Sequence, residues 1–485
     1  MKKILAVTAA TLFCAGLSNA QIGRTFDWYT AAGDNQRTGW EKSDTKFTKE
    51  GVKDFSLITQ MKLETKGKGS NELMPPLVFG TLIGYRGFKE LGFVTSAAGE
   101  VWAIDVDLDT VYWERHLDLP KTKKTSANCP GDVTSQPTME PGATFGGRRK
   151  KGAASSSRED FWKKIFAPRP LYLLASDGKL YRLDTSTGKD MAPPVAVMPA
   201  GADASNLLAN DGVIYTTTSA GCAGAPNALW QVDLNGDTPK IASFPSPTPE
   251  GFAGRNGVLL GSDDEIYAQT TNTLQILSPT DLKPQATFSG ALGKVSPVAF
   301  NYKDRDVLVT AGNNGSLFLL DTKALNLPMF QSAPLITSED SSIIGLATWE
   351  TAEGTRWVLA AVKGPSVEAP TAPHGAIVAY QLTEEDGKPT LKHMWTSEDV
   401  SMPETPVIAN GVVFALSAGE AKKKGKLGGH ATLYAFDGDT GKEIYSTRDQ
   451  VTAPANLSGV TIANGRVFFT TTDSTLWGFG YHLEH

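Results

Sequence analysis

The chain has 485 residues, a formal net charge of −6, 48 Gly and 28 Pro, and 40% of its residues are hydrophobic. That is enough apolar material for a large core, and the Gly/Pro load favours many short strands over long helices. The acidic balance argues against a nucleic-acid binder, and no stretch of the mature chain is long and apolar enough to read as a membrane span.

Residues 1–20 read as a Sec-type secretory leader: Lys2 and Lys3 form a basic start, Ile4–Leu17 is apolar, and Ser18-Asn19-Ala20 places small residues at a cleavage point. Cleavage near Ala20 would shift the net charge to −8 and deliver the chain to the periplasm or the exterior. In such an oxidising compartment the two remaining cysteines, Cys129 and Cys222, more often pair than stay free. An entry segment at 21–53 comes next, with Asp27-Trp-Tyr-Thr-Ala-Ala-Gly-Asp-Asn-Gln-Arg-Thr-Gly-Trp40 inside it. Asp54–Glu64 then reads as a strand with no hairpin partner of its own.

From there one unit recurs. Its third strand appears as Glu100-Val-Trp-Ala-Ile-Asp105, Lys179-Leu-Tyr-Arg-Leu-Asp184, Ala228-Leu-Trp-Gln-Val-Asp233, Thr273-Leu-Gln-Ile-Leu277, Ser316-Leu-Phe-Leu-Leu-Asp321, Ala376-Ile-Val-Ala-Tyr380, Thr432-Leu-Tyr-Ala-Phe-Asp437 and Thr475-Leu-Trp-Gly-Phe479. Ahead of most copies lies a β-branched or aromatic run such as Val213-Ile-Tyr-Thr-Thr-Thr218, bounded by Asn-Gly or Asp-Gly, which is a hairpin signal. At the aligned aliphatic position (101, 180, 229, 274, 317, 377, 433, 476) the copies stand 79, 49, 45, 43, 60, 56 and 43 residues apart. Periods near 43 suit one four-stranded propeller blade each. The long first spacing is an insertion at about 121–168, where Gly146–Ser157 has no apolar period.

The expected fold is therefore all-β: an eight-bladed β-propeller of four-stranded antiparallel blades, filling 54–485 as one domain. The last copy has only six residues after it, too few for an outer strand, so Asp54–Glu64 is expected to complete that blade and close the ring. The aromatics Trp102, Trp230, Tyr434 and Trp477 are expected to fill the seams between blades.

The repeat resembles the pyrroloquinoline-quinone repeat of the quinoprotein alcohol dehydrogenase-like superfamily. Leu433-Tyr-Ala-Phe-Asp-Gly-Asp-Thr-Gly-Lys-Glu-Ile-Tyr445 carries it most fully, with Leu180-Tyr-Arg-Leu-Asp-Thr-Ser-Thr-Gly-Lys189 and the 27–40 segment beside it. The Asp-x-x-Thr-Gly-Lys turn itself is a blade-building device: Asp accepts from the N–H groups ahead of it and Gly supplies a positive φ. The resemblance implies a channel-axis site for pyrroloquinoline quinone and Ca²⁺, and an oxidoreductase acting on an alcohol or sugar. Against that pattern the chain has no adjacent Cys-Cys pair and no Cys-x-x-Cys-His, so no covalent haem is expected. A relative of another class is similar too: the non-catalytic propeller of outer-membrane protein assembly, which binds protein partners and no quinone. A ligand- or protein-binding scaffold in the cell envelope is the preferred reading.

Topology places the enlarged loops 219–227, 364–375 and 418–431 on one face, together with the connections between blades. Cys222 and Cys129 fall there, and a Cys129–Cys222 disulfide pinning the insertion is expected. His374 and His430 hold matching positions on neighbouring loops, suited to a metal or to acid–base work, and equally to plain loop packing. Glu72, Asn206, Lys294, Glu404 and Asn456 precede innermost strands, where they would line the channel mouth and offer oxygens to Ca²⁺ or a polar ligand, or bond only to channel water.

Overall fold

The computed structural model describes residues 27–66, 72–84, 87–120, 129, 135–141, 169–422 and 427–481. The leader at 1–20, most of the 121–168 insertion and the Lys-rich tip of the 418–431 loop lie outside the described residues.

Eight twisted antiparallel sheets stand around one axis as blades, spanning 77–116, 170–196, 203–245, 259–289, 298–331, 342–396, 407–446 and 461–480. Each runs outward in chain order, inner strand first, because short hairpin turns leave consecutive strands no other neighbour. The ring closes as the lone strand foretold. Ser56–Lys62 pairs antiparallel with Thr475–Gly480, from Ser56 opposite Gly480 to Lys62 opposite Thr475, and becomes the outer strand of blade 8.

Three blades depart from four strands, blade 3 because two short segments, Asp203–Ala204 and Leu208–Asn210, both pair with Val213–Ser219. Blade 2 has three, Pro170–Leu174, Lys179–Asp184 and Asp190–Ala196, and its inner position is held by a single bridge between Thr138 and Tyr172. Pro137 and Pro141 bracket that bridge, and a residue without an N–H cannot extend a ladder. Blade 7 gains a fifth strand on its inner edge: Trp40–Glu41 lies parallel to Val407–Ala409.

The Asp-x-x-Thr-Gly-Lys turns work locally as expected and add something at longer range. Asp437 Oδ1 accepts from the N–H groups of Asp439 (2.9 Å) and Thr440 (3.2 Å), and Asp184 Oδ1 accepts from Ser186 N (3.0 Å). Gly441 sits at φ +70°, and a Cβ there would come within 2.5 Å of the Trp395 ring of blade 6. That indole donates Nε1–H to Gly438 O at 2.8 Å. Trp113 of blade 1 does the same over the blade 2 turn, donating to Thr185 O at 2.9 Å beside Gly188. Each turn glycine thus makes room for the indole of the blade before it.

The core lies in the seams. Trp102 and Trp477 are buried in a cluster joining blades 7, 8 and 1, while Tyr434 and Trp230 pack at the 6–7 and 2–3 seams. Every large side chain buried this way contributes about 1.5–3 kcal/mol.

Candidate functional site

The entry segment proves to be the inside of the ring. Trp28 bridges to Val78 of blade 1, Tyr29 O accepts from Met139 N (2.8 Å) beside blade 2, and Thr30 Oγ1 donates to Leu207 O (3.0 Å) at blade 3. The carbonyls of Asn35, Gln36, Thr38 and Gly39 then accept from Leu260, Ala299, Thr348 and Ile408 on blades 4, 5, 6 and 7, at 2.7–3.1 Å. Asp44 finally accepts from Gly465 N of blade 8 (2.6 Å). One strap of chain touches all eight inner edges in order.

Its two central charged groups, Arg37 and Asp34, are fully engaged, whereas Trp28 Nε1 and Asn35 Oδ1 are buried without a partner. Arg37 is 1% exposed. Its Nε donates to Val258 O (3.2 Å), Nη1 to Thr30 Oγ1 (2.8 Å) and Ala31 O (2.9 Å), and Nη2 to Leu207 O (3.2 Å). Burial lowers its pKa only to about 10, so it stays charged at neutral pH. Asp34 accepts from Gln36 N, Thr38 N, Thr38 Oγ1 and Lys42 Nζ. Burial alone would raise that carboxyl; Lys42 and Thr38 outweigh it and hold it below its ordinary value.

Ala32 of the strap lines an axial cavity of about 330 Å³ that opens toward the face of the enlarged loops. Its polar lining includes Gln136, Arg255, Asn256, Ser296, Lys363 and Glu404, drawn from several blades, with Ile344, Met402 and Leu457 as apolar neighbours. A slightly larger cleft, about 370 Å³, lies beside the first-to-second-strand turns of blades 4 and 5 and is bordered by Asp263, Glu265, Asp304 and Asp306 with Lys323. That cleft belongs to two blades only; the axis is where the whole ring converges, which makes the axial cavity the candidate site.

Of the residues singled out at the channel mouth, Glu404 lines the cavity and is 9% exposed. Burial pushes its carboxyl up to about 8, against the pull of Arg255 and of the Gly459 N–H. Asn206 stands one residue behind the lining: Oδ1 accepts from Gln136 N (3.2 Å) and Nδ2 donates to Asn256 Oδ1 (3.4 Å). Asn456 is buried in the seam of blades 8 and 1, where Nδ2 donates to Leu73 O (3.1 Å), Thr470 Oγ1 (3.0 Å) and Thr471 O (3.2 Å). Glu72 is half-buried beside Leu73 and accepts from Ala97 N through its carbonyl (2.9 Å). Lys294 is exposed next to Val295 and Ser296. Arg255, Asn256 and Lys363 were not foreseen. For the first two a signal existed: Gly254-Arg-Asn-Gly257 is a glycine-flanked entry to an inner strand, with φ of +87° and +70° at its two ends.

The two histidines each meet a carboxylate. His374 Nδ1 lies 2.6 Å from Asp399 Oδ2, and His430 Nε2 lies 3.3 Å from Asp449 Oδ1. Among the described residues no group of three or more His, Cys, Asp or Glu side chains is placed to hold a metal ion. Cys129 and Cys222 form a disulfide, with Cα atoms 5.4 Å apart, that ties the insertion to the second-to-third-strand loop of blade 3.

The cavity's chemistry can be set against the cofactors the resemblance implies. A Ca²⁺ site takes six to eight oxygens and draws on carboxylates for charge, and a flat tricyclic quinone is held between broad faces such as aromatic rings. The described lining has one carboxylate, Glu404, which burial keeps protonated at neutral pH, and no aromatic ring. These residues do not fit a quinone–calcium pair.

No protein-family model matches the chain, and no curated protein does. Solved structures do. A europium-containing methanol dehydrogenase, 12% identical, superposes over 94% of this chain and 98% of its own with a TM-score of 0.61. The quinohemoprotein alcohol dehydrogenase from Comamonas testosteroni, 13% identical, covers 94% of this chain and 80% of its own at 0.58. BamB from Moraxella catarrhalis, 13% identical, covers 89% and 99% at 0.49. The chain is thus an eight-bladed propeller with the fold of the quinoprotein dehydrogenases.

Proposed function

We propose that this protein is an exported, non-catalytic binding propeller whose axial cavity takes a small ligand or the tip of an envelope protein. One observation carries the reading. The cavity is made by many blades and mixes polar with apolar side chains, yet its described lining lacks the carboxylate set and ring faces that quinone chemistry needs. The Cys129–Cys222 disulfide supports export to an oxidising compartment. No helix among the described residues is long and apolar enough to cross a membrane.

A second reading, a quinone- and calcium-dependent oxidoreductase acting on an alcohol or sugar, is favoured by the fold it shares with two dehydrogenases and by a buried carboxyl, Glu404, raised toward neutral pH. One experiment separates the two. The purified mature protein is loaded with pyrroloquinoline quinone and Ca²⁺ and offered alcohols and sugars with an artificial electron acceptor. Neither quinone binding at micromolar concentration nor turnover is expected; turnover that needs both additives would overturn the binding reading.

A further inference from the structure

The axial cavity is lopsided in charge. Arg255, from the connection between blades 3 and 4, and Lys363, from the end of the second strand of blade 6, line it together with a single acid, Glu404. Neither cation's side chain has a hydrogen bond or ion pair to another described residue. Ser296, 7% exposed, also lines the cavity, and its Oγ has no hydrogen-bond partner. At neutral pH the protonated Glu404 is a donor as well. Beside these donors stand apolar side chains that water meets: Ile344 is 36% and Leu457 43% exposed.

Two cations without a hydrogen-bonded partner among the described residues, Arg255 exposed and Lys363 half-buried, beside the unpartnered Ser296 hydroxyl favour an anion, and oxygen anions make the strongest bonds to such cations. The apolar neighbours ask for carbon on the same ligand. We propose that the axial cavity binds an organic carboxylate with a short apolar tail. The carboxylate is held by Arg255, Lys363 and Glu404, and the tail rests against Ile344, Met402 and Leu457. This rests on the reading of the cavity as a binding site and narrows what it binds. The same chemistry is offered by a free organic acid and by the C-terminal carboxylate of a partner chain ending in an apolar residue. Ionisation of Glu404 puts a negative charge opposite the ligand, so affinity falls as pH rises through about 8. Arg255 acts on Glu404 and also on Asp203, a carboxyl that burial raises; Lys363 lines the same cavity, and the Gly459 N–H lies at the Glu404 carboxyl.

Calorimetric titration of the purified full-length protein tests this with four probes: hexanoate, hexanamide, the tripeptide Ala-Ala-Leu with a free carboxylate, and the same peptide amidated. An acid probe should bind at least about tenfold more tightly than its amide, the loss expected for one charge-assisted hydrogen bond. Hexanoate ahead of the peptide indicates a free acid, and the reverse indicates a chain terminus. Arg255→Met and Lys363→Met should each weaken the acid about tenfold or more. Glu404→Gln keeps the donor and the shape, so binding at pH 7 should persist while the weakening between pH 7 and 9 disappears. Equal binding of acid and amide, indifference to both cation variants, or no binding by any probe at millimolar concentration overturns the proposal. Binding of the amides that the lining variants alter would leave the cavity a binding site for another ligand class. Quinone-dependent turnover would instead overturn the non-catalytic reading beneath it.

Discussion

The strap inside the ring and the cavity it borders do opposite things with their polar groups. At the strap, buried Arg37 and half-buried Asp34 each make four hydrogen bonds within the protein. In the cavity Arg255 and Lys363 make none among the described residues, and Ser296 Oγ is unpartnered. A buried charge that meets every acceptor it needs holds structure together; Arg255, exposed, and Lys363, half-buried, are hydrated instead and can exchange that water for a ligand. The contrast separates the part of the axis that stabilises the ring from the part available to bind.

That division predicts a ranking of substitutions. Arg37→Met removes donors from Leu207, Val258 and Ala31 carbonyls at once and should cost about 3–5 kcal/mol, read as a lower urea midpoint. A shift below about 1 kcal/mol would mean that the strap is decoration. On the open face, Cys129→Ser with Cys222→Ser releases a bond joining residues 93 apart in sequence and should cost about 2–4 kcal/mol. Non-reducing and reducing melts of the parent protein should differ by the same amount.

The seam between blades 8 and 1 gives a pH-dependent counterpart. Glu90 is 3% exposed, and burial pushes its carboxyl from 4.5 up to about 7 despite a hydrogen bond from Asn464 and the charges of Arg466 and Lys46; Asp107 adds to the rise. The folded protein keeps this proton over a range where the unfolded chain has released it. Its contribution to stability therefore falls as pH rises from about 4.5 to about 7 and is level above that. Glu90→Gln should remove that slope and gain about 2–3 kcal/mol at pH 8, with no gain at pH 4. A gain of equal size at both pH values would refute the assignment. Smallest of all, Arg255→Met should leave the unfolding free energy within about 0.5 kcal/mol, since no intramolecular hydrogen bond of that exposed side chain is lost. A large loss there would erase the difference between strap and cavity.

Local signals carried most of the fold. Thr432–Asp437 and its relatives announced blades because short apolar runs recur at a blade-length spacing, and the Asp-x-x-Thr-Gly turn needs a short acceptor and a positive φ within four residues. The closing strand was legible for a negative reason: the last repeat ran out of chain, and an unpaired edge must find a partner. Trp395 and Trp113 escaped notice because their partners, the turns of the next blade, lie 43 and 72 residues away.

The sequence alone determined eight repeats, a closed ring, and a cysteine pair on one loop-bearing face, since each depends on spacing along the chain. The tertiary structure decided that the entry segment runs inside the ring, and that Asn456 ties a seam while Arg255 and Lys363 face the cavity beside Glu404. Such facts depend on which side chains meet across the axis. Residues of different blades meet there by the curvature of the ring, which no local period encodes.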